Sequence, residues 1–145
     1  SLRDYGGIRQ FCGRIATVKC YENNPSVRQR LTKENGDGRV LVIDGGGSIA
    51  CALMGDQLAS GGAAQGWSGV IINGAIRDSV EISKIPIGCK ALCTNPTKSK
   101  KVNPGEIDVE VTFAGLNFVP GHWIYADNDG IIVSSQELLL PRSKI

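Results

Sequence analysis

The sequence predicts one α/β domain, with βα units in its N-terminal half and antiparallel strands in its C-terminal half. Three observations carry this expectation. Two short, continuous apolar runs, Val40-Leu41-Val42-Ile43 and Val70-Ile71-Ile72, are each followed by glycines and then by a helix-start signal. That is the pattern of buried parallel strands feeding helices. Residues 107–113 alternate apolar and polar, as an antiparallel strand with one wet face does. The length, 145 residues, suits one hydrophobic core and is short for two.

Residues 13–20 alternate and read as a half-buried strand. Pro25 and Ser26 open a helix with Val27 and Leu31 on one face, and Asn35-Gly36-Asp37-Gly38 stops it. Residues 39–44 are the first buried strand. Gly45-Gly46-Gly47-Ser48 is a tight turn, expected to lead into a short helix over 48–53. Gly55 and Asp56 open the next helix, with Asp56 as a plausible N-cap. Ala59, Gly61, Gly62, Ala63 and Ala64 give this helix a small-residue face suited to close approach to a sheet. Two adjacent glycines weaken it by roughly 1 kcal/mol each relative to alanine. Residues 70–72 are the second buried strand, and 74–78 a turn at its carboxyl end. Asp78 or Ser79 caps a short helix ending before Pro86. Residues 89–94 read as a strand and 98–105 as a polar loop. Strands follow over 107–113, 117–119 and 123–125. Asn128-Asp129-Gly130 signals a hairpin with 131–133 as the partner strand. A last helix is expected over 135–140, before Pro141.

Composition excludes several functions. Sixteen basic against fourteen acidic residues give a net charge of +2, mild for a nucleic-acid binder. The one dense basic cluster, Lys98, Lys100 and Lys101, reads as a solvated loop. The aromatic residues are scattered and form no stacking platform, so no direct nucleic-acid partner is expected. Five cysteines occur with no C-x-x-C pair, which suggests neither a zinc site nor a redox motif. They read as small buried hydrophobes in a reducing, cytoplasmic interior. No apolar run approaches the roughly 18 residues of a membrane span. The single histidine, His122, sits in a turn, and no G-x-S-x-G motif accompanies it. Trp67 and Trp123 read as packing residues.

Glycine is in excess, at 19 residues, without a Gly-X-Y period. The triple glycine lacks the G-x-G-x-x-G and G-x-x-x-x-G-K-[ST] forms of nucleotide sites. Two strand ends carry unusual residues: Asp44 with its glycines, followed by Gly55-Asp56-Gln57-Leu58, and Asn73-Gly74-Ala75-Ile76-Arg77-Asp78. Ligands of open α/β sheets bind beyond such carboxyl ends. The N–H groups at the start of the helix near Asp56 suit a carboxylate, and Arg77 suits the same carboxylate bidentately. Asp56 and Asp78 offer hard oxygens for Mg²⁺ or Mn²⁺. From spacing alone, both aspartates also read as simple N-caps and Arg77 as a salt-bridge residue.

At these residues the chain resembles a known family. The resemblance runs through residues 13–20, 39–48, 55–59, 66–70, 74–78 and 125–131 and covers nearly the whole chain. The family contains the regulator of ribonuclease E activity A (RraA) and the class II 4-hydroxy-4-methyl-2-oxoglutarate/4-carboxy-4-hydroxy-2-oxoadipate aldolases. Its aldolase signature is an Asp, twenty residues, then Arg-Asp. Asp56, Arg77 and Asp78 complete it here.

The resemblance implies a β/β/α sandwich of swivelling-domain type, assembled as a homotrimer or hexamer with sites between subunits. It implies a divalent-metal lyase of 2-oxo acids, acting as an aldolase and oxaloacetate decarboxylase through a pyruvate enolate. In that reading Asp78 helps hold the metal, and Arg77 neutralises the carboxylate and the enolate. Gly55, Gln57 and Leu58 hold the carboxylate, and Asp56 orients a water. The alternative implied is a non-catalytic regulator that binds a ribonuclease E-type protein. Members of the family carry a further N-terminal segment with no counterpart before Ser1.

Overall fold

In the computed structural model, which describes residues 1–138, the chain runs β1 (Arg3–Asp4), β2 (Phe11–Lys19), α1 (Pro25–Lys33), β3 (Val40–Asp44), β4 (Ala52–Met54), α2 (Asp56–Ala64) and β5 (Gly69–Ile76). It continues through α3 (Ser79–Ile82), β6 (Gly88–Thr94), β7 (Glu106–Ile107), β8 (Val111–Phe113), β9 (Leu116–Phe118), β10 (Trp123–Asp127) and β11 (Gly130–Ser134). The main sheet is ordered β1-β6-β5-β3-β2-β10-β11, with β4 added to β5 and β7 to β2. The β2–β3, β3–β5 and β5–β6 pairs are parallel, as the buried apolar runs require.

Alternation along the central strands builds two cores. Val18, Leu41, Ile43, Val70 and Ile72 face Val27 and Leu31 of α1, Leu58 and Ala59 of α2, and Ile82 of α3. Ile15, Val40, Val42 and Ile71 face the other way, against Val111, Phe113, Phe118 and Ile124. Helices, central sheet and the β8–β10 layer are thus the three layers of a β/β/α sandwich. β2 joins two of them. Its first residues pair with β10 antiparallel, and its last five pair with β3 parallel. Among the described residues no helix is long and apolar enough to cross a membrane.

Several elements differ from the sequence reading. Residues 48–53 form no helix; Ala52–Met54 is a buried strand on the end of β5. Ala, Leu and Met favour helix, but tertiary pairing overrides propensity. The same pairing extends β5 to Ile76, where a turn from Gly74 was expected. Gly55, not Asp56, is the N-cap of α2. The small face of α2 packs on α1 as well: a Cβ on Gly61 would lie 2.9 Å from Thr32 Cγ2, and one on Gly62 3.0 Å from Leu31 Cδ2. The alternation over 107–113 is split by a turn, because Asp108 adopts a left-handed φ of 52°. The Asn128-Asp129 hairpin turn is present, with Asp127 paired to Gly130. Residues 135–138 are not helical, and the rest of the expected helix lies outside the described residues. All five cysteines are free thiols; burial pushes Cys20 and Cys89 up to about 12.

A buried arginine fixes the split strand. Arg30 of α1 donates to Asp108 Oδ1 at 2.6 Å, to Thr17 O at 3.0 Å, and to both oxygens of Glu34. Burial pushes the Glu34 and Asp108 carboxyls up, but hydrogen bonds from Arg30, joined by Arg39 at Glu34, outweigh it and lower both. Their ordinary values are 4.5 and 3.8. A depressed carboxyl stabilises the fold above its unfolded value, and that contribution disappears as pH falls through the folded one. The melting temperature is therefore expected to fall as pH drops below about 4. Melting curves of Asp108→Asn should show a shallower acid slope than wild type; an identical slope would remove Asp108 from this account.

Candidate active site

The candidate residues converge because two parallel strands end side by side. In the β4–β5 pairing Met54 is the register partner of Ile76, and Arg77 N donates to Met54 O at 3.0 Å. The residues that follow each strand therefore run together: Gly55 beside Arg77, and Asp56 beside Asp78. Twenty residues between Asp56 and Arg77 are what β4 to β5 consumes through α2.

Contacts among these residues are direct. Asp78 Oδ2 accepts from the Asp56 backbone N–H at 3.1 Å and from Arg77 Nη1 at 3.0 Å. Asp78 itself sits in the left-handed region, at φ 60° and ψ 45°, and its side chain makes no capping bond to α3. It caps the start of α2 instead, across the strand ends. The Asp56 backbone N–H is the main influence lowering the Asp78 carboxyl, against slight burial and with help from the Asp56 side chain and the charges of Arg77 and Lys98.

The next two N–H groups of α2, those of Gln57 and Leu58, have no hydrogen-bond acceptor among the described residues. They are the unpaired donors of a helix start, the kind of terminus that suits an anion, and they line the same cleft as Arg77. The triple glycine does not share this property. Gly45 and Gly47 N–H donate to Asn73 O, Gly46 N–H to Asp44 Oδ1, and Ser48 N–H to Gly45 O. Its donors are spent on the turn, so these glycines offer no free N–H at their strand end.

Gly55 is needed for space. Its φ of −115° and ψ of −168° suit any residue. A Cβ there would lie 2.7 Å from Asp78 Oδ2 and 2.8 Å from Arg77 Cζ. Gly55→Ala is expected to displace both side chains and lower turnover by about 10²-fold, the scale of a misplaced catalytic group. A folded protein with unchanged kcat would contradict this.

Among the described residues, Asp78 Oδ1 and both Asp56 carboxylate oxygens accept no hydrogen bond. They are hard donors at one place, and they fit Mg²⁺ or Mn²⁺. The described residues contain no group of three His, Cys, Asp or Glu side chains able to hold a metal. A cation here would therefore depend on Asp78, with Asp56 close by, and on oxygens of water and substrate.

The lysine cluster is solvated, as expected, and two of its members, Lys98 and Lys101, also border this site. Lys98, Ser99 and Lys101 line one narrow cleft, about 20 Å³ in volume, with Asn24, Arg28, Gly55, Gln57, Leu58 and Arg77. The segment is held by Ala52 N to Thr97 O at 2.8 Å and Lys100 N to Glu22 O at 2.9 Å. Charge density was its visible signal. The missing information was that β4 forms and gives it an edge to lie on. Larger grooves elsewhere, such as one of about 610 Å³ lined by Arg14, Asp37, Arg39 and Trp123, do not include a helix start with free N–H donors.

Several known proteins are similar to this chain. A family model described as RraA-like, Aldolase/RraA, matches residues 1–133. A protein of Alkalilimnicola ehrlichii named "Putative 4-hydroxy-4-methyl-2-oxoglutarate aldolase" is 52% identical over 138 residues, 95% of this chain and 85% of its own length. One of the same name from Halorhodospira halophila is 53% identical over 96% of this chain and 84% of its own. The solved structure of the RNA-processing inhibitor RraA from Thermus thermophilis superposes with a TM-score of 0.92 at 39% identity, covering 97% of this chain and 85% of that one. A Geobacillus kaustophilus structure titled as an S-adenosylmethionine:2-dimethylmenaquinone methyltransferase gives 0.91 at 46% identity, covering 95% and 85%.

Proposed function

The chain belongs to the RraA-like family, and from that premise we propose that it is a divalent-metal-dependent lyase of 2-oxo acids. Its reactions are retro-aldol cleavage of 4-hydroxy-4-methyl-2-oxoglutarate and decarboxylation of oxaloacetate, which share a pyruvate enolate. The observation that carries the reading is the joined Asp56–Arg77–Asp78 arrangement in front of the free Gln57 and Leu58 N–H groups. Aldolase names among relatives more than 50% identical over nearly the whole chain support it.

The substrate carboxylate rests on the Gln57 and Leu58 N–H groups, with the Arg77 guanidinium alongside. The bond between C3 and C4 breaks. In the aldol, the 4-hydroxyl gives its proton to water as C4 becomes the carbonyl of a second pyruvate; in oxaloacetate, C4 leaves as CO₂. The electron pair moves toward the 2-oxo oxygen, and Arg77 offsets the charge that develops there. Asp78, with Asp56 close by, would hold a Mg²⁺ or Mn²⁺ ion, which supplies Lewis-acid polarisation of the 2-oxo group when bound. Asp56 orients the water that delivers a proton to C3, giving pyruvate. Gly55 keeps the approach open for Arg77. The working form is a homotrimer or hexamer with the cleft at a subunit boundary.

The test is pyruvate release from oxaloacetate with Mg²⁺ or Mn²⁺, read against metal alone. Turnover is expected to stop with a chelator and in Asp78→Ala. Activity no higher than that of free metal, or undiminished in Asp78→Ala, would overturn the reading.

The structural match to an RNA-processing inhibitor favours a second reading, a protein-binding regulator of a ribonuclease E-type enzyme. Pull-down against such an enzyme should then retain this chain at micromolar concentration, and Arg77→Ala should not affect capture. The methyltransferase name of the other structural relative finds less support, because the glycine turn has no N–H groups left for a nucleotide-like cofactor.

A further inference from the structure

The strand end that leads to Asp56 is displaced by one residue from even pairing. Ala52 pairs with Ala75 and Met54 with Ile76, so two steps along β4 match one step along β5. Leu53 is the extra residue of a β-bulge. Continued evenly from Ala52 and Ala75, the two strands would set Met54 against Arg77 and Asp56 against Ser79. The bulge brings Asp56 back level with Asp78, whose carboxylate its N–H reaches at 3.1 Å.

Two features hold Leu53 in that place. Its side chain, 1% exposed, enters a space that two glycines leave open. A Cβ on Gly45 would lie 2.6 Å from Leu53 Cδ1, and one on Gly74 3.3 Å from it. Neither glycine has a left-handed φ, so space and not backbone conformation calls for glycine there. The carbonyl of the bulged residue accepts from Asn24 Nδ2 at 3.0 Å. Asn24 is itself buried, at the N-cap of α1. The first glycine of the triple-glycine turn therefore serves the site, although the turn offers it no free N–H.

We propose that Leu53 is a positioning residue of the site: seated between Gly45 and Gly74 and tied by Asn24, it fixes the bulge that sets Asp56 level with Asp78. Leu53 does not line the cleft, so it acts through those two residues. For its effect on turnover the proposal rests on the lyase reading; for its effect on register it does not.

Two measurements test this. Leu53→Ala should lower kcat for oxaloacetate by about 10²-fold, the scale of a catalytic group displaced by about 1 Å. Leu41→Ala removes an equally buried leucine from β3 and should keep most of its turnover. In the metal-free protein the magnetic-resonance signal of the Asp56 amide should move on Asp78→Ala, which removes its acceptor. In the Leu53→Ala background that response should be lost. Should Leu53→Ala fail to fold, a size exchange decides. Gly74→Ala and Leu53→Val should each lower turnover and weaken the amide response. The two together should exceed either alone in both, since the added methyl group fills what valine vacates. Equal losses in Leu53→Ala and Leu41→Ala, an undiminished amide response, or a double variant no better than its parents would overturn the positioning role. If the wild type does not decarboxylate oxaloacetate but the amide response is present and lost in Leu53→Ala, the lyase reading fails and the register role stands. If decarboxylation and the amide response both survive Leu53→Ala, the positioning role alone fails.

Discussion

Arg77→Ala is expected to lower kcat/KM for oxaloacetate decarboxylation by about 10²–10³-fold, the range for removing a group aimed at developing charge. Its effect on stability should be small. The Arg77–Asp78 pair is about 30% exposed on both sides, and pairs with that much solvent contribute about 1 kcal/mol or less. Melting temperature and activity should thus separate cleanly. Arg77→Lys should recover only part of the rate, because an ammonium keeps the charge but not the planar fork that grips a carboxylate at two points. An Arg77→Ala protein with wild-type turnover would remove Arg77 from the mechanism. It would also move weight to the regulator reading, which needs no charge at this position.

The largest expected loss of stability lies far from the cleft. Lys90 stands on β6, between β1 and β5, and its side chain is 4% exposed. Its ammonium pairs with Asp4 Oδ1 at 3.0 Å and donates to Asp127 O at 2.7 Å. The contact joins the first strand of the chain to the last hairpin through the sheet between them. Asp4→Ala would leave a buried ammonium with a single carbonyl, at a cost of about 3–5 kcal/mol. Chemical denaturation should show a matching fall in midpoint with the m-value unchanged. Lys90→Met with Asp4→Leu, which removes both charges, should recover most of the loss. A full-size loss in that double variant would assign the effect to packing of β1 and not to the ion pair.

The order of strands and helices was largely legible in the sequence because it follows local pattern. The apolar runs at 40–43 and 70–72 fit burial on both faces, and the Asn128-Asp129-Gly130 turn needs only its own residues. What was illegible depends on distant partners. Ala52–Met54 has the composition of a helix and becomes a strand because the end of β5 is there to pair with it. Asp108 interrupts a good alternation because Arg30, 78 positions away, holds its carboxylate. At the site, the motif residues stand out by spacing and resemblance, and Asp78 is the N-cap residue of α3 as the sequence suggests; that its carboxylate caps α2 instead depends on the distant strand end beside it. Lys98, Lys101, Asn24 and Ser99 were missed as a group, since only the formed edge of β4 brings them together.

The register of β4 on β5 also says what the twenty-residue interval measures. It counts the path from one strand end, through α2, to the neighbouring strand end, and no catalytic distance enters the count. The reacting geometry is set by the pair Met54 and Ile76. A relative whose α2 were one turn longer, with the same pair in register, would hold the same four groups in the same places. It would escape a search for the twenty-residue signature. Relatives of this chain are therefore better sought by the two strand endings, Gly-Asp and Arg-Asp, placed next to each other in space than by the number of residues that separates them.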